Sequence, residues 1–487
     1  MSQRPPTRSI LAAASLFLGA CGGESADSAS ATRAQRVLLI TCDTLRADRL
    51  GVYGFAAGTS PNLDAFAEQC LVYDKAYAAA PMTMPSFASM MTGLLPDHTG
   101  VVNNHVLIPA QATTIAESLS DAGFATSAVV SNWVLKSRDV DKRRGMEQGF
   151  DAFDDTMQSA ERTRKKVKER LAPDTTDAAL AWLETRPSDR FFLWVHYQDP
   201  HGPYTPPEEF IEARERASGR LLPLSNRSNT AGNIPFYQVL GQEMSTDFYE
   251  DRYEAEIRFF DRELGRLLDA LEQQNLLEEA LVIFTADHGE SLGEHDWWFS
   301  HGQTLYDELV RVPLLIRFPG EMPAQSMQWQ GDYRRSEALV GHVDLHATIL
   351  ASVGLTPGPT HGLNLLDTEF ESGRVISQSV WEPGEAKRWQ GATDGRWRWL
   401  QNQAGEMLFD LEADPNEETN KLQSHPGEAQ RLRAAFKTQL ESLGALGERA
   451  VKAASSAQDM ENMKALGYAG GDEEEDEAPL ENSDEGH

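Results

Sequence analysis

The sequence predicts an α/β fold: a large, mostly parallel sheet sandwiched by helices, followed by a small C-terminal α+β subdomain. Three observations carry this prediction. Short apolar runs ending in polar residues recur along the chain, helical stretches lie between them, and the character changes beyond Gly362-Leu363-Asn364. A continuous apolar run of strand length is how a strand buried on both faces reads, and alternation of such strands with helices gives a parallel sheet covered on both sides. The first run is Arg36 to Thr41, and the pattern returns at Ala125 to Val130, Phe191 to Tyr197, Leu281 to Thr285 and Val312 to Phe318. Among the helices, the segment Ser60 to Ala67 offers Ser60 as N-cap and Pro61 at the first helical position. The stretch Tyr249 to Glu272 repeats apolar residues at Tyr253, Ile257, Phe260, Leu264, Leu267, Leu268 and Leu271, the spacing of one helix face. Arg374 to Ser379 and the Trp-rich Gln390 to Leu400 read as strands of a small antiparallel sheet, with a helix from about Pro426 to Leu443 packed on it.

Of the 487 residues, 36–365 are thus assigned to the main domain and 366–468 to the subdomain; 40% hydrophobic composition leaves a sizeable core available. Both ends stand outside that core. Arg4 and Arg8 precede the apolar run Ile10 to Leu18, too short to span a bilayer, and Leu18-Gly19-Ala20-Cys21 resembles a bacterial lipobox. Residues 1–20 are expected to be a lipoprotein signal peptide, Cys21 the acylated residue, and 21–35 a flexible tether rich in Gly, Ser, Ala and Asp. The expected location is the bacterial cell envelope, at the outer membrane because Gly22 rather than Asp follows the cysteine, with the lipid as the sole membrane contact. Residues 469–487 contain the run Asp472 to Glu477, which repels itself and stays solvated as a disordered acidic tail. A net charge of −31 argues against nucleic acid and anionic lipid as partners. Cys42 and Cys70, the two cysteines beyond Cys21, make no disulfide framework, and Cys42 reads as a small buried hydrophobe. Nothing in the sequence sets an oligomeric state.

In sheets of this kind functional groups gather at the carboxyl ends of the strands. Asp43 follows the first strand, His196 to His201 close the strand that starts at Phe191, and Asp287-His288 follow the strand Leu281 to Thr285. Two carboxylates and an imidazole form a mixed oxygen and nitrogen donor set. Such a set suits Mn²⁺ or Zn²⁺ better than Ca²⁺, whose sites are usually all oxygen. One divalent metal ion is therefore expected on Asp43, Asp287 and His288.

The segment Ala80-Pro81-Met82-Thr83-Met84-Pro85-Ser86-Phe87 with Thr92-Gly93 resembles the sulfatase nucleophile motif, C-x-P-S-R followed by T-G. Thr41 to Asp48 with Gly51-Val52-Tyr53-Gly54, His196 to Tyr204, Thr285 to Glu290, His301 to Glu308, Arg311-Val312-Pro313 and Leu408 to Pro415 match further segments in order. Together they resemble the sulfatase family of the alkaline phosphatase superfamily over most of Val37 to Tyr468. The resemblance implies a metal-dependent ester hydrolase in which Thr83 holds the nucleophile position and completes the metal shell. Sulfatases oxidise a Cys or Ser at that position to formylglycine, and a threonine cannot give that aldehyde. Phe87 stands where the motif has Arg, Asn132 where sulfatases place a Lys, and Val134 where they place a His. Thr44 replaces a second aspartate and His288 an asparagine, a pattern similar to phosphonate and phosphodiester hydrolases and to phosphoryl-alcohol transferases of the same superfamily. The expected substrate is a phosphate mono- or diester of a small molecule, glycan or lipid, attacked by metal-activated Thr83. Asn132, His201 and His301 are expected at the substrate, the two histidines as donors to its oxygens or as acid for the leaving group. Sulfuric ester hydrolysis, transfer of a phosphoryl-alcohol group to a glycan or lipid, and anionic-glycan binding without turnover stand as alternatives.

Overall fold

The computed structural model describes residues 33–138, 145–157, 159–160, 168–214, 219–222, 231–320, 327–367, 374–381, 388–444 and 446. The segments expected to be a signal peptide, the acylated Cys21, most of the tether (up to residue 32) and the acidic tail lie outside the described residues.

A nine-stranded sheet forms the main domain, in the order Met327–Gln330, Tyr333–Gly341, Leu71–Tyr77, Leu314–Arg317, Ala280–Ala286, Arg36–Cys42, Phe191–Tyr197, Ala125–Val130 and Ala152–Asp154. All run parallel except Leu314–Arg317 and Met327–Gln330. The strand Arg36–Cys42 takes a central place, and Val37, Leu38, Leu39 and Ile40 are wholly buried. Each such side chain contributes about 1.5–3 kcal/mol of transfer free energy. Its register decides the position of the site: Cys42 is level with Tyr197 on one side and Ala286 on the other. Neighbouring strands lie about 4.8 Å apart, so the residues that leave these three ends emerge side by side.

The longest helix spans Thr246–Gln273, three residues earlier than the periodicity predicts, and buries Tyr253, Ile257, Phe260, Leu264, Leu267 and Leu271. It also corrects one expectation. Ser60 does not cap the helix Pro61–Ala67; its hydroxyl accepts from the Gly51 N–H and donates to Asp64. The exposed amides of that first turn, Asn62 and Leu63, instead donate to Asp261 of the long helix at 2.9 Å. A carboxylate placed there satisfies two orphan donors at the positive end of the helix, which a serine cannot.

The subdomain is a consecutive antiparallel sheet of Ile376–Trp381, Arg388–Thr393, Trp397–Asn402 and Gly405–Asp410. One face receives the helix Pro426–Glu441 through Ala429, Leu432 and Phe436 on Trp397, Trp399 and Leu408. The other packs Val380, Leu400 and Phe409 on Tyr77, Leu305, Leu309 and Val310 of the main domain. Fully buried Arg398 crosses that boundary, donating to Asp307 at 2.7 Å and to the Leu305 carbonyl at 3.0 Å. Cys42 and Cys70 are free and buried. Among the described residues no helix is long and apolar enough to cross a membrane.

Candidate active site

Asp43, Asp287 and His288 follow the level strand ends, and all three are fully buried. Asp287 Oδ1 accepts from the backbone N–H of Thr44 (3.2 Å) and of His288 (2.8 Å). The first of these bonds is made possible by Thr44 at φ 55°, a left-handed conformation that a β-branched residue adopts only at a cost. Tyr253 anchors the same turn, its hydroxyl donating to the Thr44 carbonyl at 2.7 Å. His288 Nδ1 faces the Gly289 carbonyl at 2.9 Å, which fixes that nitrogen as the protonated one and leaves Nε2 with its lone pair. Asp43 Oδ2 accepts from the Asn132 amide, and His196 Nε2 stands 3.7 Å away from the same oxygen.

What these bonds leave over is a cation cradle. Asp43 Oδ1, Asp287 Oδ2 and His288 Nε2 are buried without a hydrogen-bond partner, and the ligand atoms of the three residues lie within 4.8 Å of one another. Two carboxylate oxygens and a lone-pair nitrogen facing each other in a dry site are repulsive unless something positive lies between them. The residues therefore fit a divalent ion. Burial pushes the Asp287 carboxyl well above the usual carboxylate range, and the adjacent Asp43 charge adds to this. Burial acts on Asp43 in the same sense, but the imidazoles of His201, His196 and His288 hold it well below that range. His288 is pushed down to about 3, by burial first and His301 next, so it is neutral and able to ligate.

Thr83 opens the helix Thr83–Thr92, is fully buried, and its hydroxyl oxygen has no partner. The helix is locked onto the metal strand one turn later, where the Ser86 hydroxyl donates to the Asp287 carbonyl at 2.6 Å and lies 2.9 Å from His342 Nδ1. Residues three apart share a helix face, so Thr83 stands over the same strand end, at the positive end of the helix. Phe87, in the next turn, packs its ring 5.0 Å from Trp194 and 4.9 Å from His196 with no exposure; this is an apolar prop for His196. Val134 is likewise core.

His201 and His301 close the other side, their rings 5.0 Å apart, with His301 4.6 Å from His288. His301 Nδ1 lies 3.1 Å from Glu290 Oε1, while the Tyr204 hydroxyl donates to Glu290 Oε2 at 3.0 Å. His201 Nδ1 faces the Gly202 carbonyl at 2.7 Å. Gly302, at φ 89°, lies so close to Thr83's segment that a Cβ there would meet Met82 at 2.9 Å. Burial pushes His301 down to about 4 and lowers His201, whereas it lifts Glu290 to about 8.

The structure thus brings Asp43, Asp287 and His288 together, sets the first turn of the Thr83 helix on the Asp287 strand, and brings His201 and His301 beside them. Asn132, expected at the substrate, spends its amide on Asp43 and its carbonyl oxygen on the Val134 N–H at 2.7 Å. Sequence reasoning passed over His196 and Glu290. His196 shows in sequence as an imidazole in an otherwise apolar strand, and Glu290 as a carboxylate two residues past His288.

A hydroxyl heading a buried helix, set against an oxygen and nitrogen cation cradle at the carboxyl edge of a parallel sheet, is the equipment of a metal-dependent ester hydrolase. The chain belongs to the sulfatase family, whose model, Sulfatase, matches residues 35–355. It is 25% identical over 427 residues to the uncharacterized sulfatase YidJ of Escherichia coli, spanning 79% of this chain and 82% of that one. It is 25% identical to an arylsulfatase of Clostridium perfringens, over 80% of this chain and 90% of that one. Among solved structures, a phosphonate monoester hydrolase of Agrobacterium radiobacter superposes with a TM-score of 0.67 at 20% identity, covering 86% of this chain and 99% of that one. A sulfatase of Bacteroides thetaiotaomicron does so with 0.66 at 21%, covering 85% and 95%.

Proposed function

We propose that this hydrolase cleaves phosphate mono- or diesters through Thr83, on a single divalent cation held by Asp43, Asp287, His288 and the Thr83 hydroxyl. The observation that carries the reading is the Thr83 hydroxyl itself: buried, unpartnered, and at the head of the helix clamped to Asp287. Held by Asp43, Asp287 and His288, a divalent cation would lower the pKa of a coordinated hydroxyl and offset charge on phosphoryl oxygens, and Mn²⁺ or Zn²⁺ would suit the donor set. Asn132 and His196 hold Asp43 in place. Thr83 Oγ1, its proton lost to solvent, attacks phosphorus as the bond to the substrate alcohol breaks, and a phosphothreonine results; water, giving its proton to the imidazole that has just acted as acid, then attacks phosphorus, and the bond to Thr83 Oγ1 breaks to release phosphate from a monoester or a phosphate monoester from a diester. Burial opposes charge on His201 and His301 and lowers both. A bound phosphate anion reverses that balance, so protonation accompanies substrate binding and supplies the acid that the departing alkoxide needs. Glu290 and the Gly202 carbonyl orient the two rings.

The relatives favour a second reading, sulfate ester hydrolysis, since their names are those of sulfatases. Turnover of nitrophenyl phosphate, bis-nitrophenyl phosphate and nitrophenyl sulfate by the purified protein with Mn²⁺ or Zn²⁺ separates the two. Faster turnover of a phosphate ester, abolished in Thr83→Ala, is the expected result. Faster sulfate turnover that survives in Thr83→Ala overturns the reading.

A further inference from the structure

A second group of metal-type ligands lies away from the Asp43 cradle, made by His295, Glu308 and Glu417, whose ligand atoms all fall within 4.8 Å of one another. The three come from separate parts of the fold. His295 sits in the loop between Glu290 and His301, Glu308 in the short helix Asp307–Val310, and Glu417 beyond the last strand of the subdomain. The imidazole is held rigidly, its ring stacked on Tyr306 with centroids 3.6 Å apart and planes 12° from parallel. Its Nε2 is buried with no hydrogen-bond partner. Glu417 is 2% exposed, and its Oε1 likewise accepts no hydrogen bond.

The local charge does not balance. Arg398 serves both Asp307, at 2.7 Å, and Glu417, at 3.4 Å, while Arg311 stands 3.8 Å from Asp307, so these two cations answer Asp307 and Glu417 and leave none for Glu308. Arg46 is taken by Asp48 at 2.7 Å and Glu294 at 2.8 Å. The Glu308 carboxylate accepts from the Ser291 hydroxyl at 3.2 Å and from its own backbone N–H, and among the described residues no arginine or lysine forms an ion pair with it. Two carboxylates and an imidazole nitrogen therefore converge where one positive charge is missing, and buried charges without compensation are destabilising.

We propose that His295, Glu308 and Glu417 bind a second divalent cation, Zn²⁺ or Mn²⁺ by the donor set, which pins the catalytic loop to the C-terminal subdomain. The site is structural. Its ligands bridge three segments, so the binding free energy adds to the cohesion of the loop that carries His288 and His301. It does not depend on the reaction assigned to Thr83.

The test is metal content of the full chain after equilibration with Zn²⁺ or Mn²⁺ and removal of free ion, together with thermal melting. Two ions per chain are expected in the wild type, and one in each of His295→Ala, Glu308→Gln and Asp287→Ala. Metal-stripped Asp287→Ala, which keeps only the second site, should still gain melting temperature when Zn²⁺ is returned, and Asp287→Ala with His295→Ala should not. A single ion in the wild type that Asp287→Ala removes, with no metal-dependent gain in melting temperature, overturns the proposal and leaves the first site standing. Should Asp287→Ala fail to fold, the ion count of Glu308→Gln against wild type decides: an unchanged count rejects the second site, and the loss of one ion supports it.

Discussion

In the mechanism we propose, Thr83 selects the ester that the site opens. A free threonine hydroxyl is a poor nucleophile in water; the positive helix end beneath Thr83, and a cation in the adjacent cradle, would make it reactive. Thr83→Ala removes attacking oxygen and ligand together, so kcat/KM for phosphate esters should fall roughly a hundredfold or more, whereas Thr83→Ser keeps both and should be mild. Equal losses in the two variants would contradict this. The grouping of Asp43, Asp287 and His288 was legible from sequence because each directly follows a strand, and Thr83 was expected beside them from its motif. His196 and Glu290 were not, because their roles depend on hydrogen bonds across the fold: His196 reaches Asp43 from another strand, and Glu290 gains its meaning only when His301 arrives from the next loop.

Among the elements, the helix Thr83–Thr92 shows how far the chain has departed from the sulfatase motif. Phe87 fills a dry space between Trp194 and His196. Restoring the motif with Phe87→Arg buries a cation there, which is expected to cost about 3–5 kcal/mol. Calorimetry should show a lowered melting temperature, and an unchanged one would mean the space is not closed. Arg398 offers the converse test at the junction of the two sheets. Arg398→Ala leaves Asp307 and Glu417 without their buried partner and should also cost about 3–5 kcal/mol, read as a shift in denaturation midpoint. The strands at Arg36, Ala125, Phe191, Ala280 and Leu314 were legible because each leaves an apolar run, whereas Leu71–Tyr77 and Tyr333–Gly341, also inside the sheet, were missed because half-buried Asp74, Lys75, Arg334 and Arg335 break theirs. The edge strands Met327–Gln330 and Ala152–Asp154 lack that signal, each having one neighbour. The cap of the helix Pro61–Ala67 was misread because its carboxylate, Asp261, comes from a distant helix.

For the whole molecule, buried neutral histidines make stability depend on acidity. Burial holds His346 and His361, each ordinarily near 6.5, down to about 4 in the folded chain. Between these values the unfolded chain takes up protons that the native one refuses, so stability is lost as pH falls from about 6.5 toward about 4. Melting temperatures across that range should drop, and His346→Gln should shallow the slope; an unaltered slope would remove His346 from the account. Cys21 and its lipobox are the basis for our proposal of a lipid-anchored envelope protein. Wild type should partition into detergent and Cys21→Ser into the aqueous phase, and identical behaviour would reject the anchor.

The central strand Arg36–Cys42 has a temporal consequence as well. Both of its neighbours come much later in the chain, at Phe191–Tyr197 and Ala280–Ala286. At a synthesis rate of about 5–20 residues per second, its second edge waits on the order of ten to fifty seconds for a partner. Throughout that delay Val37 to Ile40 form a sticky, unclaimed ribbon, open to the wrong neighbour. No fragment that ends before Ala286 can cover both edges of it or assemble the cradle, so the chain has reason to stay unfolded until that strand is present, a delay that suits a protein we propose to be exported before it folds.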